Sequence, residues 1–246
     1  MTNLLFWIAF PFLVPQALYV RRMAPRFAPA GGPSEGTVGS GKQIRLLAIG
    51  DSIVAGVGAS ELSKALVGQT ATALAESRNC RVSWRALGVS GYDSTRVLER
   101  IVPELPAVAF DYIIVSVGLN DVTGLTRVRK WRQNLTLLIG TLQAHSPNAL
   151  IAVAGIPPLH RFPLLPQPLR AVFGMRGRAF DKVAEAVVHR HKRSLHIALD
   201  FEPKPAKFAP DGYHPSEAGY TEYGRHMADR LLANEANNQN LTTAAH

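Results

Sequence analysis

Five short apolar runs alternate with five helix-like stretches between residue 44 and about residue 234, and that rhythm leaves the chain few architectures. The runs are Ile44–Ile49, Val82–Leu87, Tyr112–Val117, Leu150–Ala154 and Leu195–Leu199. The helix-like stretches are Leu62–Glu76, Ser94–Ile101, Val128–Ala144, Met175–His191 and Ser216–Ala233. Strands that are apolar on both faces need cover on both faces, so the pattern predicts an α/β fold: a five-stranded parallel sheet between two helical layers. A length of 246 residues with 47% hydrophobic content fits one such domain with a generous core. Cys80 is the only cysteine, which excludes an intramolecular disulfide.

The flanks read differently. Leu4 to Val20 is apolar except for Gln16, and it carries Pro11 and Pro15. Arg21, Arg22 and Arg26 follow, and no basic residue precedes, which is the reverse of a secretory signal. As a helix the run reaches about 25 Å, slightly short of a hydrocarbon core. Residues 1–27 therefore read as a marginal inner-membrane anchor, with the domain on the cytoplasmic side by the positive-inside rule. The alternatives are an apolar arm packed on the domain or a partner, and an exported or soluble protein. Residues 28–43, rich in Gly, Pro, Ser and Ala, read as a linker, 44–233 as the domain and 234–246 as a disordered tail. A net charge of +9 and a pI near 10 suit an anionic surface such as phospholipid headgroups. No nucleic-acid-binding motif accompanies the charge, so nucleic acid is not an expected partner.

Gly50-Asp51-Ser52-Ile53 closes the first apolar run and leads through a glycine-containing loop into the first helical stretch. A serine at such a turn has its hydroxyl held at the carboxyl edge of the sheet, where open α/β folds place their chemistry. Serine needs a base to take its proton as it attacks, and His214 is the candidate. Asp211, three residues earlier and just ahead of a helix that Ser216 caps, is placed to accept the imidazole Nδ1 proton. Two more edge loops offer donors for an oxyanion. Gly88-Val89-Ser90-Gly91 allows close approach of a backbone N–H, and Gly118-Leu119-Asn120-Asp121 brings the Asn120 amide. Each motif alone is also an ordinary turn; their succession along one sheet edge gives them weight.

These four blocks, in this order over about residues 44 to 232, resemble those of the SGNH (GDSL-type) hydrolases. The resemblance implies a three-layer αβα sandwich similar to flavodoxin, and hydrolysis of esters, thioesters or acylated lipids and sugars without a metal or other cofactor. It makes Ser52 the nucleophile, His214 the base and Asp211 its orienting acid. The Ser52 N–H, the Gly91 N–H and the Asn120 amide would form the oxyanion hole. One departure is Ala86, where many relatives carry an Asn. The reading is a serine esterase acting through an acyl-Ser52 intermediate on a small-molecule or lipid ester, lysophospholipids included. The alternatives are an acyltransferase or deacetylase of sugar esters, and an inactive membrane-tethered binding protein.

Other features are weaker. Gly36 to Lys42 has P-loop spacing, but Gln43 stands where a metal-binding Ser or Thr belongs, and the segment precedes a strand. The proline-rich insertion from Ile156 to Gly174 follows a strand and is either a wall or lid of the site or a loop packed on its own domain. Arg127, Arg129, Lys130 and Arg132, with Arg161, Arg170, Arg176 and Arg178, are either a rim that attracts anionic headgroups or solvated helix faces.

Overall fold

The structure, a computed structural model, describes residues 2–23, 27–200 and 204–243. Its parallel strands are β2 (Gln43–Gly50), β3 (Arg81–Gly88), β4 (Tyr112–Ser116), β5 (Leu150–Ala154) and β6 (Ser194–Ile197). They lie in the order β3-β2-β4-β5-β6, the flavodoxin-type winding in which the chain reverses direction on either side of its first parallel strand. The crevice at such a reversal lies at the carboxyl ends of β2 and β4, from which the Ser52 and Asn120 loops depart.

The sheet has six strands and is mixed, not five and wholly parallel. β1 (Glu35–Val38) adds antiparallel to the outer edge of β3, so part of the expected linker over 28–43 is an edge strand. Its residues carry no apolar alternation because an edge strand satisfies its backbone on β3 without burying much side chain. Gly36 fits where a Cβ would strike the Trp84 ring at 2.5 Å. The P-loop lookalike is thus strand and turn.

Each face of the sheet has its own core. On one side α2 (Leu66–Arg78) and α7 (Glu217–Thr243) pack so closely that a Cβ on Gly224 would lie 2.6 Å from the Gln69 Cβ. α7 extends past the expected boundary at residue 233, with Arg78 paired to Glu235, so the polar stretch expected as a disordered tail continues the helix through Thr243. On the other side lie α3 (Ser94–Arg96), α4 (Leu119–Thr123), α5 (Val128–His145) and α6 (Leu169–Val188). α5 turns a stripe of Trp131, Leu135, Leu138, Ile139 and Leu142 inward. Trp131 is fully buried, stacks on Phe180 at 5.9 Å and donates its Nε1–H to the Phe180 carbonyl.

The apolar amino-terminal segment forms α1 (Thr2–Met23), which lies against α6. Phe6 is fully buried near Phe173, with the Arg176 guanidinium 4.5 Å above its ring. Gln16 donates to the Gln167 carbonyl and accepts from the Leu169 amide. Among the described residues no helix is long and apolar enough to cross a membrane.

Trp131 joins α5, α6 and the loop before α4, and a Cβ on Gly118 would already meet its ring at 2.8 Å. Replacing it with Ala is expected to lower stability by about 3–5 kcal/mol in urea unfolding; a loss below about 1 kcal/mol would show that this junction does not hold the layer together.

Candidate active site

Ser52 sits just beyond β2, where the chain leaves the sheet by a tight turn. The Asp51 amide donates to the Ser116 carbonyl, and the Ala55 and Val57 amides return to the Asp51 and Ser52 carbonyls. Across the sheet edge, Ser216 caps α7 by accepting the Gly219 amide, and the loop before it carries Asp211 and His214. The structure brings these three into one hydrogen-bonded chain. His214 Nε2 is 3.0 Å from Ser52 Oγ, and His214 Nδ1 is 2.6 Å from Asp211 Oδ2. The other Asp211 oxygen accepts the backbone amides of Tyr213 and His214 at 2.9 and 3.0 Å.

The electrostatics agree with that order. Burial favours the neutral acid at Asp211, yet the His214 ring and the two amides outweigh it and hold the carboxyl below its ordinary value. An ionised Asp211 fixes the imidazole with its proton on Nδ1, which leaves Nε2 to accept the Ser52 hydroxyl proton.

The expected oxyanion donors lie on the turns that leave the adjoining strand ends. Asn120 donates to the Tyr92 carbonyl at 2.9 Å, and its second amide hydrogen has only a 3.5 Å contact with Asp51 Oδ2. Gly91 is exposed, has a left-handed φ of +82°, and nothing lies within 4 Å of where a Cβ would stand. Among the described residues neither the Ser52 nor the Gly91 backbone N–H has an intramolecular acceptor, so both are free to donate. Ala86, the departure in the second block, is a buried residue of β3, and its amide donates to the Ser34 carbonyl.

Sequence reasoning missed what ties these loops together. Asp121 is fully buried and accepts the Ser94 amide at 2.8 Å and the Ser94 hydroxyl at 2.6 Å. Asn134 donates to the hydroxyls of Ser94 and Thr95 at 2.9 Å each. This network links the segment after Gly91 to the Asn120 turn and to α5. A signal was present: Asn134 occupies the apolar stripe of α5, where a polar residue needs buried partners.

A cavity of about 200 Å³ lies next to the turn that carries Ser52; its wall holds the chain neighbours of Ser52, Asn120 and His214 but not those residues themselves. Asp51 and Ile53 line it from the serine turn, with Leu119, Ile156, Phe162 and Tyr213 among the other wall residues. Phe162 makes edge-on contacts with Tyr213 at 5.4 Å and Phe208 at 5.7 Å. The proline-rich insertion therefore does both things expected of it as alternatives: Leu159, Leu165 and Leu169 pack into the core, while Ile156, Pro157 and Phe162 form wall. Of the basic residues flanking it, Arg176 is buried instead of rimming the site, with its Nε–H on the Val122 carbonyl.

Asp51 behaves oppositely to Asp211. It is 2% exposed, and burial pushes its carboxyl from 3.8 up to about 7, against the opposing pull of the Ile53 amide and His214. Burial also raises Asp121 to about 6. A carboxyl raised in the folded state binds its proton more tightly there than in the unfolded chain. Its contribution to stability is then full below about pH 4 and lost as pH rises through about 7. Asp51→Asn, which cannot ionise, is expected to gain stability relative to wild type as pH rises from about 4 to about 7 in urea titrations. Parallel pH profiles for the two proteins would refute the burial argument.

Comparison with known proteins agrees with this geometry. The sequence profile of the GDSL-like lipase/acylhydrolase family matches residues 48–221. The chain is 26% identical over 230 residues to the GDSL-like esterase Rv1075c of Mycobacterium tuberculosis, covering 85% of this chain and 72% of that protein. Its fold resembles the psychrotrophic esterase EstA from Pseudoalteromonas sp. (TM-score 0.60, 20% identity, 77% of this chain and 97% of that one). It also resembles a Clostridium thermocellum family 3 carbohydrate esterase (TM-score 0.59, 18% identity, 78% and 96%). The chain belongs to the GDSL-like lipase/acylhydrolase family and is a hydrolase of ester bonds.

Proposed function

We propose that this protein is a serine esterase that cleaves esters of apolar acyl groups, lipid esters such as lysophospholipids among them, through an acyl-Ser52 intermediate. The observation that carries the reading is the Ser52–His214–Asp211 hydrogen-bonded chain; the apolar preference rests on the neighbouring cavity, whose wall includes Ile53, Ile156 and Phe162. In the first half-reaction Ser52 Oγ attacks the ester carbonyl while its proton passes to His214 Nε2. The oxyanion that forms is held by the N–H groups of Ser52 and Gly91 and by Asn120 Nδ2. For Asn120, the oxyanion replaces the long contact to Asp51 and leaves the bond to Tyr92 in place as a brace. Collapse expels the alcohol, which takes the proton from His214. Water then attacks the acyl-Ser52 carbonyl with His214 as base, releasing the acid and restoring the hydroxyl.

A fluorophosphonate probe is expected to label wild type and not Ser52→Ala, and turnover of Ser52→Ala on soluble esters should fall by about 10⁴-fold or more. Asp211→Asn keeps the shape but loses the acceptor that sets the imidazole tautomer, and kcat should drop by roughly 10³–10⁴. Asn120→Ala should cost about 10²–10³ in kcat with little change in KM, because the amide serves the transition state. Unchanged labelling of Ser52→Ala would remove the nucleophile from this position. An ester panel then tests the acyl preference: faster turnover of acetylated sugars than of longer acyl esters would replace the lipid-ester reading with sugar deacetylation.

A further inference from the structure

The excess positive charge of this protein is confined to part of its chain. Residues 1–34 and 122–180 hold 11 Lys and Arg and no Asp or Glu, whereas the remainder has 16 Lys and Arg against 18 Asp and Glu. Eight of those 11 lie on α1, α5 and α6, which share one side of the sheet, since α1 lies on α6 and α6 packs beside α5. Arg127, Arg129, Lys130, Arg132 and Arg178 are exposed there. The carboxylates that bound the second segment are engaged inward, Asp121 by Ser94 and Asp181 by the Ile156 amide and His196.

On this same side α1 presents an apolar ridge to solvent. Its inner surface, with Phe6, Phe10 and Leu13, packs on the domain. Its outer surface leaves Phe12 82%, Leu18 59%, Tyr19 63% and Met23 61% exposed, with exposed Arg22 among them. α1 runs antiparallel to α6, because Phe6 meets Phe173 and Arg176 while Gln16 meets Gln167 and Leu169. α6 starts from the insertion after β5, so Leu18 to Met23 finish at the level of the catalytic edge. The chain beyond confirms that level: the Ala30 and Gly31 amides donate to the Ala55 and Ser60 carbonyls, on the loop that follows Ser52.

We propose that this face docks on an anionic phospholipid surface, with the α1 ridge set into the headgroup–acyl boundary and the surrounding arginines on lipid phosphates. An apolar ridge bordered by basic residues and free of acids is the chemistry of an interfacial helix. Nucleic acid would satisfy the arginines and leave Phe12, Leu18 and Met23 in water. A second copy across a two-fold axis would oppose like charges. With its Phe6, Phe10 and Leu13 face committed to the domain, α1 lies along the surface and does not cross it. Docking does not depend on the hydrolytic reading; the consequence that lipid esters reach Ser52 directly from the surface does.

The test is co-sedimentation of the full chain with phosphatidylcholine vesicles, with and without about one-third phosphatidylglycerol. Binding should be at least roughly tenfold tighter to the anionic vesicles and should weaken as salt is raised. The double variants Leu18→Ser with Met23→Ser, and Arg129→Glu with Lys130→Glu, should each lose about tenfold in binding. Both should keep the wild-type thermal midpoint and turnover of a soluble short-chain ester. Equal binding to neutral and anionic vesicles, or wild-type binding by the ridge variant, overturns the proposal. So does binding of duplex DNA by a protein that ignores vesicles. Full vesicle binding without turnover of any ester would remove the esterase reading and leave the docking standing.

Discussion

The alignment of three strand ends at one level is the constraint on which the rest depends. Parallel register places Gly50 opposite both Gly88 of β3 and Ser116 of β4. The two glycines have no room for side chains: a Cβ on Gly50 would lie 1.9 Å from the Ser116 carbonyl of β4, and one on Gly88 would lie 2.4 Å from the Ala55 amide of the serine loop. Because the strands end together, the turns carrying Ser52, Gly91 and Asn120 leave the sheet side by side. The fourth component, the Asp211–His214 loop, is brought over that edge by the start of α7. Tyr220 helps fix this start, donating its hydroxyl to the Val57 carbonyl on the serine loop.

Within that frame two buried carboxyls, one residue and three residues from the reacting groups, are driven in opposite directions. Asp211 is surrounded by donors and stays ionised; Asp51 is buried with fewer of them and is pushed toward the neutral form. In the proposed mechanism, separation of this kind lessens the negative charge that Asp51 would otherwise add near the forming oxyanion.

Much of this was legible in the sequence, and the exceptions have physical reasons. Buried parallel strands advertise themselves as apolar runs, and turn residues that must approach one another closely are glycines, so the sheet and the Ser52, Gly91 and Asn120 loops could be read directly. The Asp211–His214 spacing was readable because the loop is local. β1 was not, since an edge strand is specified by pairing with β3 and leaves little apolar signature. The extension of α7 was hidden for a similar reason: its last turns are polar and are held by one end of an already anchored helix. α1 is apolar on every side, so its sequence states no preferred face, and only α6 decides which half is inward. The Ser94–Asp121–Asn134 network joins residues up to 40 apart through side chains, and no local pattern announces such a contact.

The contact between Phe162 and Tyr213 carries a consequence for how such an enzyme diversifies. Phe162 is a wall of the cavity, and Tyr213 is both a wall residue and the direct neighbour of His214, the base of the proposed mechanism, whose ring it meets edge-on at 5.1 Å. Reshaping the cavity at Phe162 therefore disturbs the support of His214 as well. Selection at that position acts on selectivity and speed as a single trait. Ile156, on a turn that carries neither the base nor the nucleophile, offers a position where the cavity can change without touching either.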